Sequence, residues 1–265
     1  MTGRTDVRGN LWRRGGLVAV VAAMVIGLTA CGGDPAKPPP ASLGNVVDFT
    51  VPAAIRNIPL TEPDGATTTL AAYQGKVVMI ADFLSLCTDV CPLISANTAA
   101  MARAINADGY GGKAALLEIT VDPQRDTPAR LAAYQKLYGG PLRDWTLLRA
   151  SPANTRKLWK FFGVSYNRVK EEKPPSIDWW THKPLTYDVD HSDDLIFLGP
   201  SGREQYVVNA GADVQGHLPP QKLVKFLDPL GLRTLYHPRA VDSWTVSQGL
   251  SVMAWLLKHK LADPA

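Results

Sequence analysis

Two cysteines and their surroundings are the part of this sequence best suited to chemistry. Cys87 and Cys91 lie four residues apart, directly after the apolar run 77–84, and Pro92 opens a segment with helical spacing. A strand that ends near Cys87 and a helix that opens at Cys91 place both sulfurs on one side of a helical turn, close enough for a disulfide or a shared metal ion. Amide groups at a helix start lower a thiol pKa, which serves redox exchange and metal binding alike. Two buried apolar cysteines are the alternative.

A metal site needs more ligands than two sulfurs. Structural zinc sites usually use four nitrogen or sulfur ligands, and the sequence has no second cysteine pair. Among the five histidines His191 stands out, because it lies in the polar stretch 185–194, directly before an apolar strand. Two cysteines and a histidine suit copper, since thiolates favour copper(I) and a mixed set also accepts copper(II). A hydrogen-bonded loop histidine is the alternative role for His191.

Two aspartates could support these ligands through hydrogen bonds. Asp122 ends the predicted strand 114–121, and strand ends at one edge of an open α/β sheet converge on a site. Turn formation is its alternative role. Asp190 directly precedes His191. The remaining histidines are predicted to lie in loops, in turns or in the last helix, away from any metal: His182, His217, His237 and His259.

The elements that would position these residues alternate between strands and helices. Buried strands are predicted at 77–84 and 114–121, and helices at 93–105, from Asp126-Thr127-Pro128, from Ser151-Pro152 to Gly163, and from 219 to 227. Hairpins are predicted at 56–70, around the turn Pro63-Asp64-Gly65, and at 195–208. This order predicts an α/β domain with a mixed sheet flanked by helices and an N-terminal hairpin.

The composition is consistent with one globular domain of this kind. The chain has 265 residues, of which 46% are hydrophobic and 20% charged, and this excludes a mainly disordered protein. The net charge is +4, but four arginines against one aspartate lie within residues 1–30. Most of the positive charge therefore belongs to that segment, and the rest of the chain has no basic surface suited to nucleic acid.

The first thirty residues have the pattern of an export signal. Arginines up to Arg14 precede the apolar run 17–28, which is too short for a membrane-spanning helix of about 20 residues and fits a signal peptide. The following Leu28-Thr29-Ala30-Cys31 resembles the lipobox of bacterial lipoproteins, which implies cleavage before Cys31 and its lipidation. An ordinary signal with an incidental cysteine, or an uncut membrane helix, is the alternative. If Cys31 carries lipid, Cys87 and Cys91 are the two thiols of the mature chain.

Several motifs together resemble those of the Sco/SenC family. They are Cys87-Thr88-Asp89-Val90-Cys91-Pro92, the stretch 121–128 (VDPQRDTP) and Asp190-His191-Ser192, within a resemblance that runs from about 58 to 227. Members of this family are thioredoxin-like, usually membrane-anchored, and linked to copper delivery to cytochrome c oxidase. The resemblance implies a thioredoxin-like fold and the copper ligands Cys87, Cys91 and His191. The chain departs from the family at Thr88, where proline is common, at Trp179-Trp180, and after Pro229.

The resemblance leads to a division of the chain into four parts. We expect a lipoprotein signal peptide at 1–30, the lipidated Cys31 with a Gly/Pro-rich tether at 31–45, a thioredoxin-like copper-binding domain at 46–228, and a C-terminal extension at 229–265. The extension contains an amphipathic helix from about 243 to 258. Docking of this helix on its own domain is favoured over docking on the membrane or on a partner.

The resulting hypothesis is a lipid-anchored, extracytoplasmic protein that delivers copper to the dinuclear copper centre of a cytochrome c oxidase subunit. Its partners would be the copper-bearing subunit and the membrane. The alternative is an enzyme, a thiol–disulfide oxidoreductase that reduces the copper-ligand cysteines of that subunit through Cys87 and Cys91. A peroxide-reducing enzyme is disfavoured, since no peroxidase-type Thr-x-x-Cys run precedes Cys87. A redox or copper sensor is a further alternative.

Overall fold

A six-stranded mixed sheet is the centre of the computed structural model, which describes residues 36–238 and 243–262, and a strand of this sheet leads into the cysteine segment. The strands are β1 (Asn45–Thr50), β2 (Leu60–Thr61), β3 (Thr67–Thr68), β4 (Val77–Phe83), β5 (Ala114–Thr120), β6 (Trp145–Leu148), β7 (Tyr166–Val169), β8 (Asp188–His191), β9 (Asp194–Leu198), β10 (Arg203–Asn209), β11 (Gly211–Ala212) and β12 (Ser243–Trp244). The helices are α1 (Ala53–Arg56), α2 (Cys91–Ala107), α3 (Pro128–Leu137), α4 (Pro152–Phe162), α5 (Gln221–Val224), α6 (Pro229–Tyr236) and α7 (Val246–Leu257).

The central strands of the large sheet are covered on both faces. The strand order is β1-β10-β9-β4-β5-β6, with β4, β5 and β6 parallel and β9 antiparallel to both β4 and β10. Every residue of β4 and β5 is buried, as expected for parallel strands between two layers of helices. The predicted α/β fold, a mixed sheet flanked by helices, is confirmed. Two buried positions in these strands have ionisable side chains, Asp82 and Glu118.

The helix starts follow the capping signals in the sequence. Thr127 and Ser151 accept hydrogen bonds from the third backbone N–H of α3 and α4, and proline occupies the first turn of both helices. Gly163 ends α4 in the left-handed conformation, at φ 79°, which glycine adopts without a steric penalty. The helix predicted at 93–105 spans Cys91–Ala107, so Cys91 is its first residue.

Two predicted elements are smaller than expected. The N-terminal hairpin consists of the pairs Leu60↔Thr68 and Thr61↔Thr67 alone, because Arg56 ends the short helix α1 instead of beginning a strand. The helix predicted from 219 to 227 has four residues, Gln221–Val224. It is followed by α6, which the sequence did not predict and which is capped by Asp228.

The C-terminal extension packs on the domain. Helix α7 begins with a capping box of Thr245 and Gln248, and it lies against α2 and β4. The approach is close at Gly249, where a Cβ atom would lie 2.6 Å from the Sδ of Met101. Strand β12 pairs in parallel with β11, and the ring of Trp255 lies 6.2 Å from that of Tyr206. The helix therefore docks on its own domain, which confirms the favoured prediction.

Within residues 36–238 and 243–262, no helix combines the length and the hydropathy needed to cross a membrane. The predicted signal segment, Cys31 and the first residues of the tether lie outside the described residues. The predictions made for them therefore stay predictions.

Candidate metal centre

Cys87 and Cys91 lie on either side of a tight turn between β4 and α2. The Cys87 N–H donates to the carbonyl of Leu84, and the Cys91 N–H at the start of α2 points at the Sγ of Cys87, 3.5 Å away. Both cysteines are free thiols in this structure. Cys87 retains 8% of its surface and Cys91 none, so Cys87 is the thiol that an incoming molecule meets first.

His191 completes a three-residue cluster with these thiols. It ends strand β8, which pairs with β7 through Tyr166↔His191. Its Nε2 lies 3.2 Å from the Sγ of Cys91, although the two residues are 100 positions apart in the sequence. The two sulfurs and one ring nitrogen of His191 all lie within 4.8 Å of one another. The structure therefore brings Cys87, Cys91 and His191 together as a possible metal site.

Asp82 fixes the orientation of the histidine ring. The Nδ1 of His191 lies 2.6 Å from the Oδ2 of Asp82 and 2.8 Å from the carbonyl oxygen of Ser192. Both neighbours can only accept, so Nδ1 carries a proton and Nε2 faces the sulfurs with its lone pair when the ring is neutral. The other oxygen of Asp82 accepts from the N–H of Asp194 at 2.9 Å. A carboxylate behind a ligating histidine holds the ring and raises its basicity.

The three groups shift one another's pKa values. The pKa of Cys87 lies well below its usual value, because a hydrogen bond from Cys91 and the nearby His191 outweigh the effect of burial. Burial raises the pKa of Cys91, and the neighbouring Cys87 raises it further. Burial alone would lower the pKa of His191, but Asp82 and Cys87 raise it well above its usual value. Cys87 is thus the more acidic of the two thiols.

A cleft of about 1250 Å³ opens over this cluster. It is lined by the segment 169–179 and by residues within 222–230, together with Cys87 and His191. Asp89 and Asp193 also line it, and burial, followed by nearby charges that include Cys87, raises their pKa values to about 6 and about 7. Cys87 and His191 can therefore be reached from solvent, while Cys91 lies beneath them.

The two aspartates proposed from the sequence have other contacts. Asp122 is buried and pairs with Arg125, and it accepts a hydrogen bond from the Tyr187 hydroxyl at 3.1 Å. Tyr187 directly precedes β8, so Asp122 supports the strand of His191 and not the ring itself. Asp190 is exposed, because successive side chains of a strand point to opposite faces and His191 faces inward.

Asp82 is the contact that the sequence reasoning missed. It lies in the strand Val77–Phe83, where all seven residues are buried. A charged residue is almost never fully buried without a partner, so an aspartate inside such an apolar run is itself a signal for a partner elsewhere in the chain. This signal would have pointed to a histidine or a similar donor, though not to which one.

Comparisons with known proteins assign the chain to a family. The family model described as SCO1/SenC matches residues 54–217, and no curated protein matches the chain. Similar solved structures include copper-bound ScoI from Arabidopsis thaliana, with 22% identity over 68% of this chain and 93% of that one, at a TM-score of 0.47. Copper-bound ScoI from Bradyrhizobium japonicum has 23% identity over 64% of this chain and 97% of that one, at a TM-score of 0.47. Apo Sco1 from Thermus thermophilus has 25% identity over 63% of this chain and 82% of that one, at a TM-score of 0.44. Since the family model covers well over half of the sequence, this chain belongs to the SCO1/SenC family.

Proposed function

We propose that this protein binds one copper ion through the sulfurs of Cys87 and Cys91 and the Nε2 of His191, and that it delivers this ion to the dinuclear copper centre of a cytochrome c oxidase subunit. The observation that carries the proposal is the convergence of these three donor atoms within 4.8 Å. Two sulfurs and one imidazole nitrogen favour copper over magnesium or calcium, which prefer oxygen ligands. Membership of the SCO1/SenC family supports copper as the cargo.

The surroundings of the donor atoms support both uptake and release of the cargo. A metal ligand must lose its proton before it binds, and the lowered pKa of Cys87 makes this loss easier at one of the two sulfurs. Three protein ligands leave coordination positions open. Because Cys87 and His191 line the cleft, a sulfur or nitrogen of an acceptor can approach the ion and replace them one at a time.

A copper titration with matched variants tests the ligand set. The reduced chain is titrated with copper(I) against a chromophoric chelator, and with copper(II) while sulfur-to-copper charge-transfer absorption is recorded. Wild type should bind one ion, and Cys87→Ser, Cys91→Ser and His191→Ala should each abolish stoichiometric binding. His182→Ala is the control, because His182 lines the same cleft outside the cluster. Full binding by His191→Ala would defeat the assigned ligands.

A transfer experiment tests the acceptor. The copper-loaded protein is mixed with the copper-free, reduced soluble domain of an oxidase subunit that carries the dinuclear site, and the visible spectrum of that site is followed. Copper should move to the subunit, and a loaded chain that keeps its ion in the presence of excess acceptor would count against delivery. Binding and delivery are thereby tested separately.

The proposed location is the outer face of the cell membrane, with a lipid on Cys31 as the anchor. Support comes from the signal-like residues 1–30 and the lipobox-like Leu28-Thr29-Ala30-Cys31. Wild type and Cys87→Ser should sediment with the membrane, whereas Cys31→Ser should lose the lipid, as shown by mass spectrometry. A Cys31→Ser chain that carries the same added mass as wild type would refute the anchor.

A thiol–disulfide exchange activity is a second candidate, supported by the difference between the two thiols. Cys87 has the lowered pKa and lines the cleft, whereas Cys91 is fully buried beneath it. The Cys87 thiolate would attack a target disulfide, forming a mixed disulfide and releasing one target thiol. Cys91 would then attack Cys87, releasing the second target thiol and leaving a Cys87–Cys91 disulfide. This activity needs both cysteines but no metal, so His191→Ala should reduce a disulfide substrate without copper while Cys87→Ser should not.

A further inference from the structure

Asp228, the residue directly before the C-terminal extension, is joined to the turn between the two cysteines by a pair of hydrogen bonds. The hydroxyl of Thr88 donates to the Oδ2 of Asp228 at 2.9 Å, and the N–H of Asp228 donates to the carbonyl of Thr88, also at 2.9 Å. Thr88 is 8% exposed, so both bonds are largely shielded from water. Residues 140 positions apart are therefore joined directly beside Cys87.

The same aspartate connects this pair of bonds to helix α6. The Oδ1 of Asp228 accepts from the N–H of Gly231 at 2.8 Å, which caps the helix. A Cβ atom at Gly231 would lie 2.5 Å from the carbonyl oxygen of Thr88 and 2.9 Å from the Cα of Asp89. These are backbone atoms that cannot move aside, so only glycine lets the first turn of α6 lie against the cysteine turn.

We propose that Thr88, Asp228 and Gly231 form a clamp that holds the turn between Cys87 and Cys91 in its dithiol geometry, and that the clamp sets the equilibrium between dithiol and disulfide. The three are positioning residues, since they act through the backbone between the sulfurs. The clamp also accounts for threonine where proline is common in the family. A proline would stiffen the turn from within, whereas Thr88 stiffens it through the C-terminal extension.

The direction of the effect follows from the sulfur geometry. Both cysteines are free thiols, so their sulfurs lie at a non-bonded distance, while a disulfide requires two sulfurs about 2.05 Å apart. Closing the bond must bring the sulfurs together, and in this proposal the turn that the clamp holds moves with them. A clamp that resists this motion favours the dithiol, which is the form that can bind a metal ion or reduce a disulfide. Loosening the clamp should favour the disulfide.

A redox equilibrium with glutathione tests the clamp directly. The full chain, free of copper, is equilibrated with mixtures of glutathione and glutathione disulfide, and the oxidised fraction is measured after acid quenching and alkylation. One glutathione disulfide is reduced to two glutathione molecules as the two protein thiols form a disulfide. Thr88→Val, which keeps the shape and removes the hydroxyl, should raise the equilibrium constant for protein disulfide formation on the order of fivefold, the worth of one hydrogen bond. Thr88→Ser should stay within about twofold of wild type, because it keeps the hydroxyl.

Matched variants separate positioning from loss of stability. Asp228→Ser keeps a helix cap but is too short to reach Thr88 as well, so it should shift the equilibrium as Thr88→Val does. The double variant should shift it no further than either single variant, because both remove the same bond. Thr245→Val removes the cap of α7 and should lower the denaturation midpoint without a redox shift.

Specific results would overturn the clamp. The clamp is refuted if folded Thr88→Val and Asp228→Ser have equilibrium constants for disulfide formation within about twofold of wild type. It is also refuted if their equilibrium shifts toward the dithiol. If Thr88→Val does not fold, Asp228→Ser decides. Copper(I) titration of the same samples keeps this inference apart from the proposed function. If these variants bind one copper ion and their redox equilibrium equals that of wild type, the clamp is refuted and the proposed copper ligands still stand.

Discussion

At the scale of single residues, the most consequential one is a carboxylate that binds no metal in our proposal. Asp82 is completely buried, and each of its oxygens has a donor, the Nδ1–H of His191 and the N–H of Asp194. These two bonds join the end of β4 to β8 and β9. The ring of His191 therefore cannot rotate without leaving one oxygen of a buried carboxylate without its donor, which would cost about 1–3 kcal/mol or more.

Replacing Asp82 with asparagine should weaken copper binding without removing a ligand. The amide presents an N–H group where a carboxylate oxygen was, so either His191 or Asp194 loses its acceptor. Loss of such a contact behind a ligating histidine typically costs about 10–100-fold in metal affinity, and copper(I) competition titrations would measure it. Asp190→Asn is the matched control, because Asp190 adjoins His191 but points to solvent. An Asp82→Asn variant with wild-type affinity would contradict the assigned role.

Glu118 is a second buried carboxyl, in β5 under the helix that begins at Cys91. It accepts hydrogen bonds from the Ser95 hydroxyl at 2.6 Å and from the Trp145 Nε1 at 3.0 Å. Burial nevertheless raises its pKa to about 7. The folded protein therefore holds a proton here at pH values where the unfolded chain, with a pKa of about 4.3, has released it.

Because proton binding at Glu118 is coupled to folding, this site makes the protein less stable as the pH rises. Between about pH 4.3 and 7 the folded state binds more protons at this site than the unfolded state, so the free energy of unfolding falls as pH rises through that window. The stabilisation is complete below the window and lost above it, with a size of about 4 kcal/mol. Glu118→Gln should remove this component, so that its denaturation midpoint depends less on pH than that of wild type. Parallel curves for the two proteins from pH 4 to 8 would refute the shifted pKa.

What the sequence reveals at this scale depends on how far apart the partners lie. Cys87 and Cys91 are local, and their spacing with Pro92 is sufficient to identify them. The polar stretch around His191 and the family resemblance bring in the third residue of the cluster. Asp82 and the bond between Thr88 and Asp228 join positions more than 100 residues apart, and such pairings depend on the folded topology, which no single local pattern encodes.

At the scale of elements, the connection between β7 and β8 supports the segment that leads into the cysteine turn through a contact separate from the clamp. The ion pair of Arg130 and Asp178 anchors it, with atom distances of 2.9 and 2.7 Å. The indole Nε1 of Trp179 donates to the carbonyl of Ser85 at 2.7 Å, two residues before Cys87. Trp179, at a position where the sequence motifs of the family are not matched, therefore contacts the segment that leads into the cysteine turn.

Removing the indole N–H of Trp179 should loosen this support. Trp179→Phe keeps an aromatic ring but leaves the carbonyl of Ser85 without this donor, at a cost of about 1–3 kcal/mol in the free energy of unfolding. Amide hydrogen exchange should become faster at residues 85–88. Trp159→Phe is a matched control, since Trp159 is also buried and donates to a backbone carbonyl, that of Thr120. If the amide hydrogen exchange rates at residues 85–88 are equal in Trp179→Phe and Trp159→Phe, the Trp179 indole does not support the cysteine turn.

The elements that sequence analysis predicts well are those with local signals. The starts of α3 and α4 follow from Thr127-Pro128 and Ser151-Pro152, whose caps are made within one turn. Helix α6 has only eight residues and contains Gly231, which lowers helix propensity. Its position is fixed by contact with the cysteine turn, so tertiary structure decides an element for which the local sequence gives a weak signal.

At the scale of the whole molecule, the C-terminal extension shares the core of the domain that precedes it. Asn97 in the middle of α2 donates to the carbonyls of Asp213 and Trp244, which fixes β11 and β12 beside that helix. Val252 and Met253 of α7 are fully buried in the same core. The helix that begins at Cys91 thus packs against α7, while α6 contacts the turn before it.

This arrangement predicts that the extension contributes stability that can be separated from metal binding. Met253→Ala should lower the free energy of unfolding by about 2–5 kcal/mol, because it leaves a cavity between α7 and the domain. Chemical denaturation measures this loss, with the half-buried Ser251→Ala on the same helix as the control, expected to change little. The folded variant should still bind one copper ion, since Met253 has no part in the three-residue cluster. A Met253→Ala protein that stays folded but no longer binds copper would show that α7 acts on the site itself, and would refute the separation of core packing from ligand geometry.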